Sequence, residues 1–596
     1  MKETYLGIEV DYSRDNLFDQ LGIKRLQESY MKEEESSPQQ RFAFVSKQFG
    51  TNQAHAQRLY EYSSKHWLSY STPILSFGRS ARGLPISCFL PYLHDSSAGL
   101  VDTLSEVNWL SMLGGGIGIG VGIRSADDKS VGVMPHLRTY DASSLAYRQG
   151  RTRRGSYAAY LDISHPDIAI FLDMRKPTGD PNMRAMNLHH GINIPDSFME
   201  IIERCMKDPE ANDDWELKDP HNGEVREVVS AKMLWQQILD LRMHTGEPYL
   251  HFIDTSNRMM PQFQKDLGLS IKQSNLCSEI ILPTDKDRTA VCCLSSLNLE
   301  YYDEWREDVL FIRDIAEMLD NVLQYFIEHA PDTIQRAKFS AERERSIGIG
   351  ALGFHAYLQR QNTPFEGVIA KSLNNQIFNH IKEHLDAANY ALGSIRGEAL
   401  DARGTGKRFS HTMAIAPNAS SSIIMGNTSP SIEPYRANAY RQDTLSGSFL
   451  NKNKYLEQLL RTKPLTDDEI QEIWSSIMAN DGSVQHLEFL SDWEKDVFKT
   501  SMEIDQRWVI EHAADRQKYI DQAQSLNVFF RPDSNVKYIH AVHFLAWKLG
   551  LKTMYYCRSE KLAKADKVSK KIERVVMQEL DLKAIADGDV CLACEG

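Results

Sequence analysis

The chain of 596 residues contains no run of 18 apolar residues, the length an α-helix needs to cross a bilayer. It opens on MKETYLGIEVDYSRD, which carries charge in its first turns and no apolar signal region, so a cytoplasmic protein is expected. Cysteine is scarce, at 8 residues. In a chain this large that excludes a disulfide scaffold and leaves metal or redox use. One C-x-x-C pair, Cys591 and Cys594, lies in the terminal CLACEG, and there is no second. A structural zinc site takes four ligands, so a dithiol that cycles with a disulfide fits better. Positive charge is also short: 68 Lys and Arg stand against 81 Asp and Glu, a net −13. Proteins that grip polymeric nucleic acid show a basic face or a high pI. The balance argues against that class, though not against a local pocket for one nucleotide. The basic stretch YRQGRTRRGSY (147–157) reads either as a solvated loop or as an anion-binding loop. The glycine run GGGIGIGVG (114–122) lacks the third glycine of G-x-G-x-x-G and is no Walker loop. Two readings stand for it: close approach of backbone to a ligand, or a glycine-rich turn into a buried strand.

What remains is ordinary globular composition, 42% hydrophobic and 25% charged. The length allows about three or four domains, or one large α/β barrel with helical additions. Residues 1–70 read as polar and helical, with DNLFDQLGIKRLQESYMKEEE at their centre. From STPILSF onward, short apolar runs broken by Gly and Pro suggest strands and turns. SSAGLVDTLSEVNWLSML (96–113) has a helical period. AVCCLSSLNLE (290–300) reads as a buried strand, followed by a helix over 309–330. Alternation continues through RSIGIGALGFHAYL and MAIAPNASSSIIMG, and VKYIHAVHFLAWKLGLKTMYYC (536–557) reads as helix, glycine stop and strand. Strands alternating with helices predict a parallel-stranded α/β architecture. After Arg558 the chain turns charged and is read as a mobile tail ending in the cysteine pair.

The stretch SNLCSEI (274–280) spaces Asn275, Cys277 and Glu279 two residues apart. In an extended segment such side chains share a face, which gathers an amide, a thiol and a carboxylate into one small volume. A strand edge with an incidental polar face is the competing reading. Cys292 and Cys293 are adjacent in a strand, so only one of them faces a shared cavity. Cys88 lies in another short apolar run, PISCFL; a buried lone cysteine is usually a small hydrophobe. Tyr555 and Tyr556 are adjacent in TMYYC. Taken together these are a cavity dithiol, a third thiol beside a carboxylate, a tethered dithiol and a redox-capable phenol pair.

At these residues the chain resembles the large, catalytic subunit of class I ribonucleotide reductase. The stretches are TPILSFGR with its following SC (72–88), GGGIGIGVGIRS (114–125), LDMRKPTGDPNMRAMNLHHGINIPD (172–196), SNLCSEI, CCLSSLNL (292–299), APNASSSIIMGNTSPSIEP (416–434), MYYCRS (554–559) and the terminal cysteine pair. They span nearly the whole chain in family order. The resemblance implies a ten-stranded α/β barrel of two parallel five-stranded halves with a central finger loop. A helical region (1–70) would precede the barrel (71–558), and a redox tail (559–596) would follow it. It implies reduction of ribonucleoside di- or triphosphates to 2′-deoxyribonucleotides by a thiyl radical. Cys277 is then the thiyl residue, Glu279 the general base on the 3′ hydroxyl and Asn275 a hydrogen-bond partner of the sugar. Cys88 and Cys292 become the reducing pair, since CCLSSLNL aligns Cys292 with the family's C-x-L-S pattern. Cys591 and Cys594 recharge that pair by exchange.

The same resemblance makes Tyr555 and Tyr556 the final radical relay, which requires irregular backbone, because strand neighbours point apart. Substrate contacts fall on Thr72, Ser87, Gly116 and the run Pro417, Asn418, Ala419, Ser420, Ser421 and Ser422, the serines offering a phosphate site; an ordinary N-cap is the plainer reading. Asp95, Arg124 and Arg184, with the loop 179–187, match a dNTP-binding effector site at a dimer interface. No cofactor is expected in this chain. The radical comes from a metal-containing small subunit, dNTP or ATP acts as effector, and a thioredoxin- or glutaredoxin-like protein is the reductant. A dNTP-promoted homodimer is expected, with no membrane and no polymeric nucleic acid; localisation is cytoplasmic, or host cytoplasm if phage-encoded. Only about 70 residues precede TPILSFGR, so no activity-switching ATP cone, and no dATP inhibition through one, is expected. Rival readings are an inactive regulatory dNTP-binding homologue and a thiol–disulfide oxidoreductase built on the C-x-x-C.

Overall fold

The computed structural model describes residues 2–79, 83–147, 155–444 and 447–559. The chain does not begin with a helix. Lys2–Tyr5 and Ile8–Asp11 pair as an antiparallel hairpin. Its two-residue turn has positive φ at both Leu6 (52°) and Gly7 (83°), the geometry that matches the twist of a tight hairpin. Ile8 and Val10 are fully buried in the main core. The helices Gln20–Ser29, Pro38–Phe49 and Gln53–Ser64 follow.

The barrel's first half is five parallel strands in sequence order. They are β1 (Cys88–Leu90), β2 (Gly116–Gly122), β3 (Tyr157–Asp162), β4 (Leu188–Ile194) and β5 (Tyr249–Phe252). The second half starts with β6 (Ala290–Asn298) and β7 (Ile347–Leu352), parallel to each other. It continues through 412–416, which bridges in parallel from Met413 to Ile349 and from Ile415 to Gln524. Its fourth member holds β8 (Val528–Phe530), and its fifth is the interrupted segment 553–559, whose β10 (Cys557–Ser559) pairs in parallel with β8. The halves meet antiparallel at two seams. At one, β6 pairs with β1; at the other, β9 (Thr553–Met554) pairs with β5. This is the ten-membered barrel of two parallel halves that the resemblance implied. MAIA (413–416) forms no regular ladder, yet its backbone is bonded to 522–525, with Gln522 N donating to Met413 O at 3.1 Å and Ile415 N to Ala523 O at 3.0 Å.

Strands buried on both faces read as continuous apolar runs, and all nine residues of β6 are buried. The helix Phe311–His329 buries Ile312, Ile315, Met318, Leu319, Val322, Leu323 and Phe326, the periodic stripe legible in its sequence. Beyond the barrel, helices Lys454–Thr462, Asp467–Ala479 and Asp492–Val497 gather a separate small core around Leu456, Leu460, Trp474 and Val497. Among the described residues no helix is long and apolar enough to cross a membrane.

The segment 271–284 threads the barrel as a central loop. At Gly118 an added Cβ would stand 2.5 Å from Ser274 O and 2.6 Å from Asn275 Cα. At Gly120 it would stand 2.5 Å from Gln273 Oε1. This settles the glycine run: β2 is a buried strand, and the backbone it lets come close is the chain's own loop.

Candidate active site at the barrel centre

The loop is not extended at its tip. Ser278 has φ 69° and its N–H turns back to Asn275 O at 3.4 Å. The shared-face argument therefore fails, because period two requires extended backbone. The side chains converge through a turn instead. Both halves of the barrel hold that turn. Tyr160 Oη of β3 donates to Asn275 O at 2.7 Å. From the other half, Ala523 N donates to Glu279 O at 2.9 Å and Thr553 Oγ1 to Ser278 O at 2.7 Å. Ser525 Oγ donates to Glu279 Oε2 at 3.0 Å.

Asn275, Cys277 and Glu279 are fully buried. Asn275 Nδ2 donates to Cys88 Sγ at 3.3 Å, and its Oδ1 accepts from Ile280 N at 3.1 Å. Cys88 Sγ lies 4.0 Å from Glu279 Oε1. Tyr555 Oη donates to Cys277 Sγ at 3.4 Å. Cys88 and Cys292 are direct partners across the β1–β6 seam. Side chains so opposed have Cβ atoms about 4.5–5.5 Å apart, and a disulfide needs about 3.5–4.5 Å; a small closing movement suffices. Both are thiols here. Cys292 and Cys88 belong to the interior cluster. Cys293 faces outward, its Sγ 3.5 Å from Leu319 O of the helix Phe311–His329. Burial raises the pKa of the Cys292 thiol, with Gln522 and Ser346 acting against it, so it rests protonated.

Tyr555 and Tyr556 fall between β9 and β10, outside either strand. Their ring centroids are 4.3 Å apart at 52°, which meets the demand for irregular backbone. The carbonyl of Tyr555 accepts from the buried Arg242 at 2.9 Å. Sequence reasoning missed Tyr249. Its ring lies 4.8 Å from that of Tyr555 and 5.1 Å from that of Tyr556. EPYLHF carries no pattern that would single it out.

The residues expected to contact substrate fall in several segments. Gly116 lies opposite Cys88 in the β1–β2 ladder. Ser87 Oγ is buried without a hydrogen-bond partner among the described residues, and Thr72 Oγ1 is 3.2 Å from Tyr30 Oη. Pro417 and Asn418 lead into a short helix, Ala419–Ile424, that carries Ser420, Ser421 and Ser422. Asn418 does not cap that helix; its amide ties Ser296 Oγ (3.2 Å) to Ala351 O (3.0 Å). Arg25 Nη2 reaches Ser420 Oγ at 3.1 Å. Asp95 and Arg124 are brought together as an ion pair, Nε to Oδ2 at 2.7 Å, just ahead of the helix Ser97–Met112, which Ser96 caps. Arg184 is turned onto its own loop, donating to Thr178 O at 2.8 Å and Met183 O at 3.0 Å. One cluster among the described residues has metal-ligand types, His55, Asp314 and Glu317, but Arg58 and Arg396 already neutralise its carboxylates. Cys591, Cys594 and the centre of the basic stretch, 148–154, lie outside the described residues.

A family model described as "Ribonucleotide reductase, barrel domain" matches residues 86–401 and 398–557, and one described as "Ribonucleotide reductase, all-alpha domain" matches 16–83. The chain belongs to the ribonucleotide reductase large-subunit family. It is 56% identical to the ribonucleoside-diphosphate reductase large subunit of Invertebrate iridescent virus 3, over 94% of this chain and 97% of that protein. It is 39% identical to the protein of the same name from Invertebrate iridescent virus 6, over 94% of each. Among solved structures it is similar to the Actinobacillus ureae class Id ribonucleotide reductase alpha subunit. The TM-score is 0.81 and the identity 35%, covering 91% of this chain and 98% of that one. In this reductase barrel the loop thiol, the seam thiols and the phenol stack share one interior.

Proposed function

We propose that this chain reduces ribonucleotides to 2′-deoxyribonucleotides, diphosphates being the substrates named in its relatives. One observation carries the reading: the Cys277 thiol, sealed in the barrel, is hydrogen-bonded to Tyr555 at 3.4 Å within a cluster that also holds Cys88 and Cys292. A metal-containing small subunit supplies the one-electron oxidant. Tyr556 and Tyr555 relay the oxidation, and the Cys277 sulfur loses its hydrogen to become the thiyl. That sulfur takes the 3′ hydrogen of the ribose. Glu279, held within reach by Ser525, takes the 3′ hydroxyl proton and gives it back to the 3′ oxygen before the cycle closes. The 2′ hydroxyl leaves as water. Cys88 and Cys292 provide two electrons and two protons in becoming a disulfide, and the 3′ hydrogen returns from Cys277, which restores the radical to the relay. Cys591 and Cys594 then exchange with the buried disulfide and are themselves reduced by a thioredoxin-like protein.

The buried, unpartnered Ser87 hydroxyl and the uncapped 419–424 turn beside Arg25 support substrate sugar and phosphate contacts there. The Asp95–Arg124 pair and the 179–187 loop support an effector site that works across a homodimer. The viral relatives support work in the cytoplasm of a host cell. The test is deoxynucleotide formation by the full chain with a candidate small subunit, a dithiol and an effector dNTP, run beside adenosylcobalamin alone. Product only with the small subunit supports the tyrosine relay. Product with cobalamin alone keeps the reductase and removes the relay. Effector binding without product, across small subunits of different metal type, returns the regulatory reading.

A further inference from the structure

Between the loop that follows Asp173 and the outer tyrosine lies a buried ionic cluster with no part in the steps above. Glu247 stands just ahead of β5 and is 2% exposed. Its Oε1 accepts from His189 Nδ1 at 2.6 Å, and its Oε2 lies 3.0 Å from His190 Nδ1 and accepts from His190 N at 3.1 Å. Arg175 Nη1 stands 3.4 Å from Oε1 and 3.0 Å from His189 Nδ1. A carboxylate at 2.6 Å requires that Nδ1 carry the proton, so Arg175 interacts with the carboxylate charge and not with an imidazole lone pair. Burial works to raise the Glu247 carboxyl, but Arg175, His189 and His190 outweigh it and hold it well below the usual range. It is a fixed negative charge.

Two features give the cluster a direction. Arg175 and His189 are the two stems of one loop, whose neck is closed by Ala185 N donating to Met174 O at 2.9 Å. On its other side the cluster meets the relay: Tyr556 Oη is 3.5 Å from His189 Nδ1, and the two rings meet edge to face at 6.3 Å. Arg558 covers the Tyr556 ring at 4.2 Å. A buried ion cluster is weak evidence for stability. What this one does is tie both ends of a loop to one phenol.

We propose that Glu247 is a positioning residue that couples the 176–188 loop to Tyr556, so that the setting of the loop decides whether the phenol is seated for radical entry. The proposal rests on the relay reading above. Displacing a reacting group by 1 Å costs about a hundredfold in rate, so a small shift of the stems is enough to close the relay. Substrate or effector chemistry that orders the loop then opens it.

The experiment places 3-aminotyrosine at position 556 of the full chain, adds the small subunit, and reads the aminotyrosyl radical by electron paramagnetic resonance, with and without substrate plus effector dNTP. With Glu247 intact, loading raises the radical yield by at least about fivefold, the lower range of measured couplings. In Glu247→Gln the yield becomes independent of loading. With Tyr556 native, the same substitution lowers kcat by about 10–100-fold with KM within about twofold, the mark of a group not used in ground-state binding. His189→Phe, which keeps the ring packing, behaves alike. Retention of both kcat and the loading dependence in Glu247→Gln overturns the proposal. Loss of fold in both variants assigns the cluster to structure and overturns it too. Product formation without any radical at position 556 removes the relay reading instead.

Discussion

Cys292 and Cys293 are neighbours with opposite surroundings, one in the interior cluster and one against the helix Phe311–His329. Cys292→Ser is expected to stop turnover, while Cys293→Ser keeps it at a modest cost in stability; steady-state rates with a dithiol reductant separate them. Cys277→Ser abolishes product and leaves dithiol–disulfide exchange at Cys88 and Cys292 intact, measured by thiol titration before and after oxidation. Glu279→Gln lowers kcat by about 10²–10⁴-fold, the usual worth of a positioned acid–base group. Glu433 carries a pH prediction. Burial raises its carboxyl to about 7, against the pull of Arg558 and Asn527. In the unfolded chain the group titrates near 4.5. The folded form therefore holds the proton longer: the stability it contributes is full below about pH 4.5 and is lost as pH rises through about 7. Glu433→Gln keeps the hydrogen bond from Asn527 Nδ2, now 2.6 Å to Oε1. The two proteins should melt alike near pH 4.5, with the variant ahead by up to about 3 kcal/mol at pH 8.

The loop and β2 form one element in practice. Gly118→Ala drives a Cβ against loop backbone at 2.5 Å, whereas Gly120→Ala meets the end of the Gln273 side chain. Backbone cannot rotate away. Gly118→Ala is expected to cost about 1–3 kcal/mol, as overpacking does, and to lose activity more than Gly120→Ala; chemical denaturation and kcat compare them. This is also the scale at which the sequence speaks unevenly. Strand alternation opposes Cys292 to Cys293 with nothing more than adjacency, and the helical period of 311–329 needs only its own residues. The turn at Ser278 was not legible, since a serine with positive φ is forced by contacts to Tyr160, Ala523 and Thr553 from far along the chain. Tyr249 and Glu247 were silent for a related reason: their neighbours, Tyr555, Tyr556 and His189, come together only on folding. The N-terminal hairpin leaves no signal of its own, because its four-residue strands are too short for a period to register.

At the scale of the molecule, the two antiparallel seams divide the work. The β1–β6 seam carries the thiol pair, and the β5–β9 seam leads into the phenol stack, with the loop between them. Under the proposed mechanism, oxidation enters at one side of the barrel and reducing equivalents at the other. Replacing Cys591 and Cys594 together by serine is therefore expected to leave about one deoxynucleotide per chain from a pre-reduced protein, and to remove catalysis supported by a thioredoxin-like reductant; single-turnover and steady-state assays on the same preparation show both.

The ring is closed throughout, though not everywhere by regular strands. From β1 to β5 the strands share ladders, and 411–416 is bonded on both sides without forming one: Ile349 N donates to Thr412 O at 2.9 Å on one side, and Ile415 N donates to Ala523 O at 3.0 Å on the other. The Asp521 carboxylate takes two further amides, Thr412 N at 2.8 Å and Met413 N at 2.9 Å. Buried amides so bonded open only at a large fraction of the global unfolding free energy. Amide deuterium uptake at 412–415 should therefore be as slow as in β2 to β4, and the serine turn at 420–422 hangs from a wall that does not breathe.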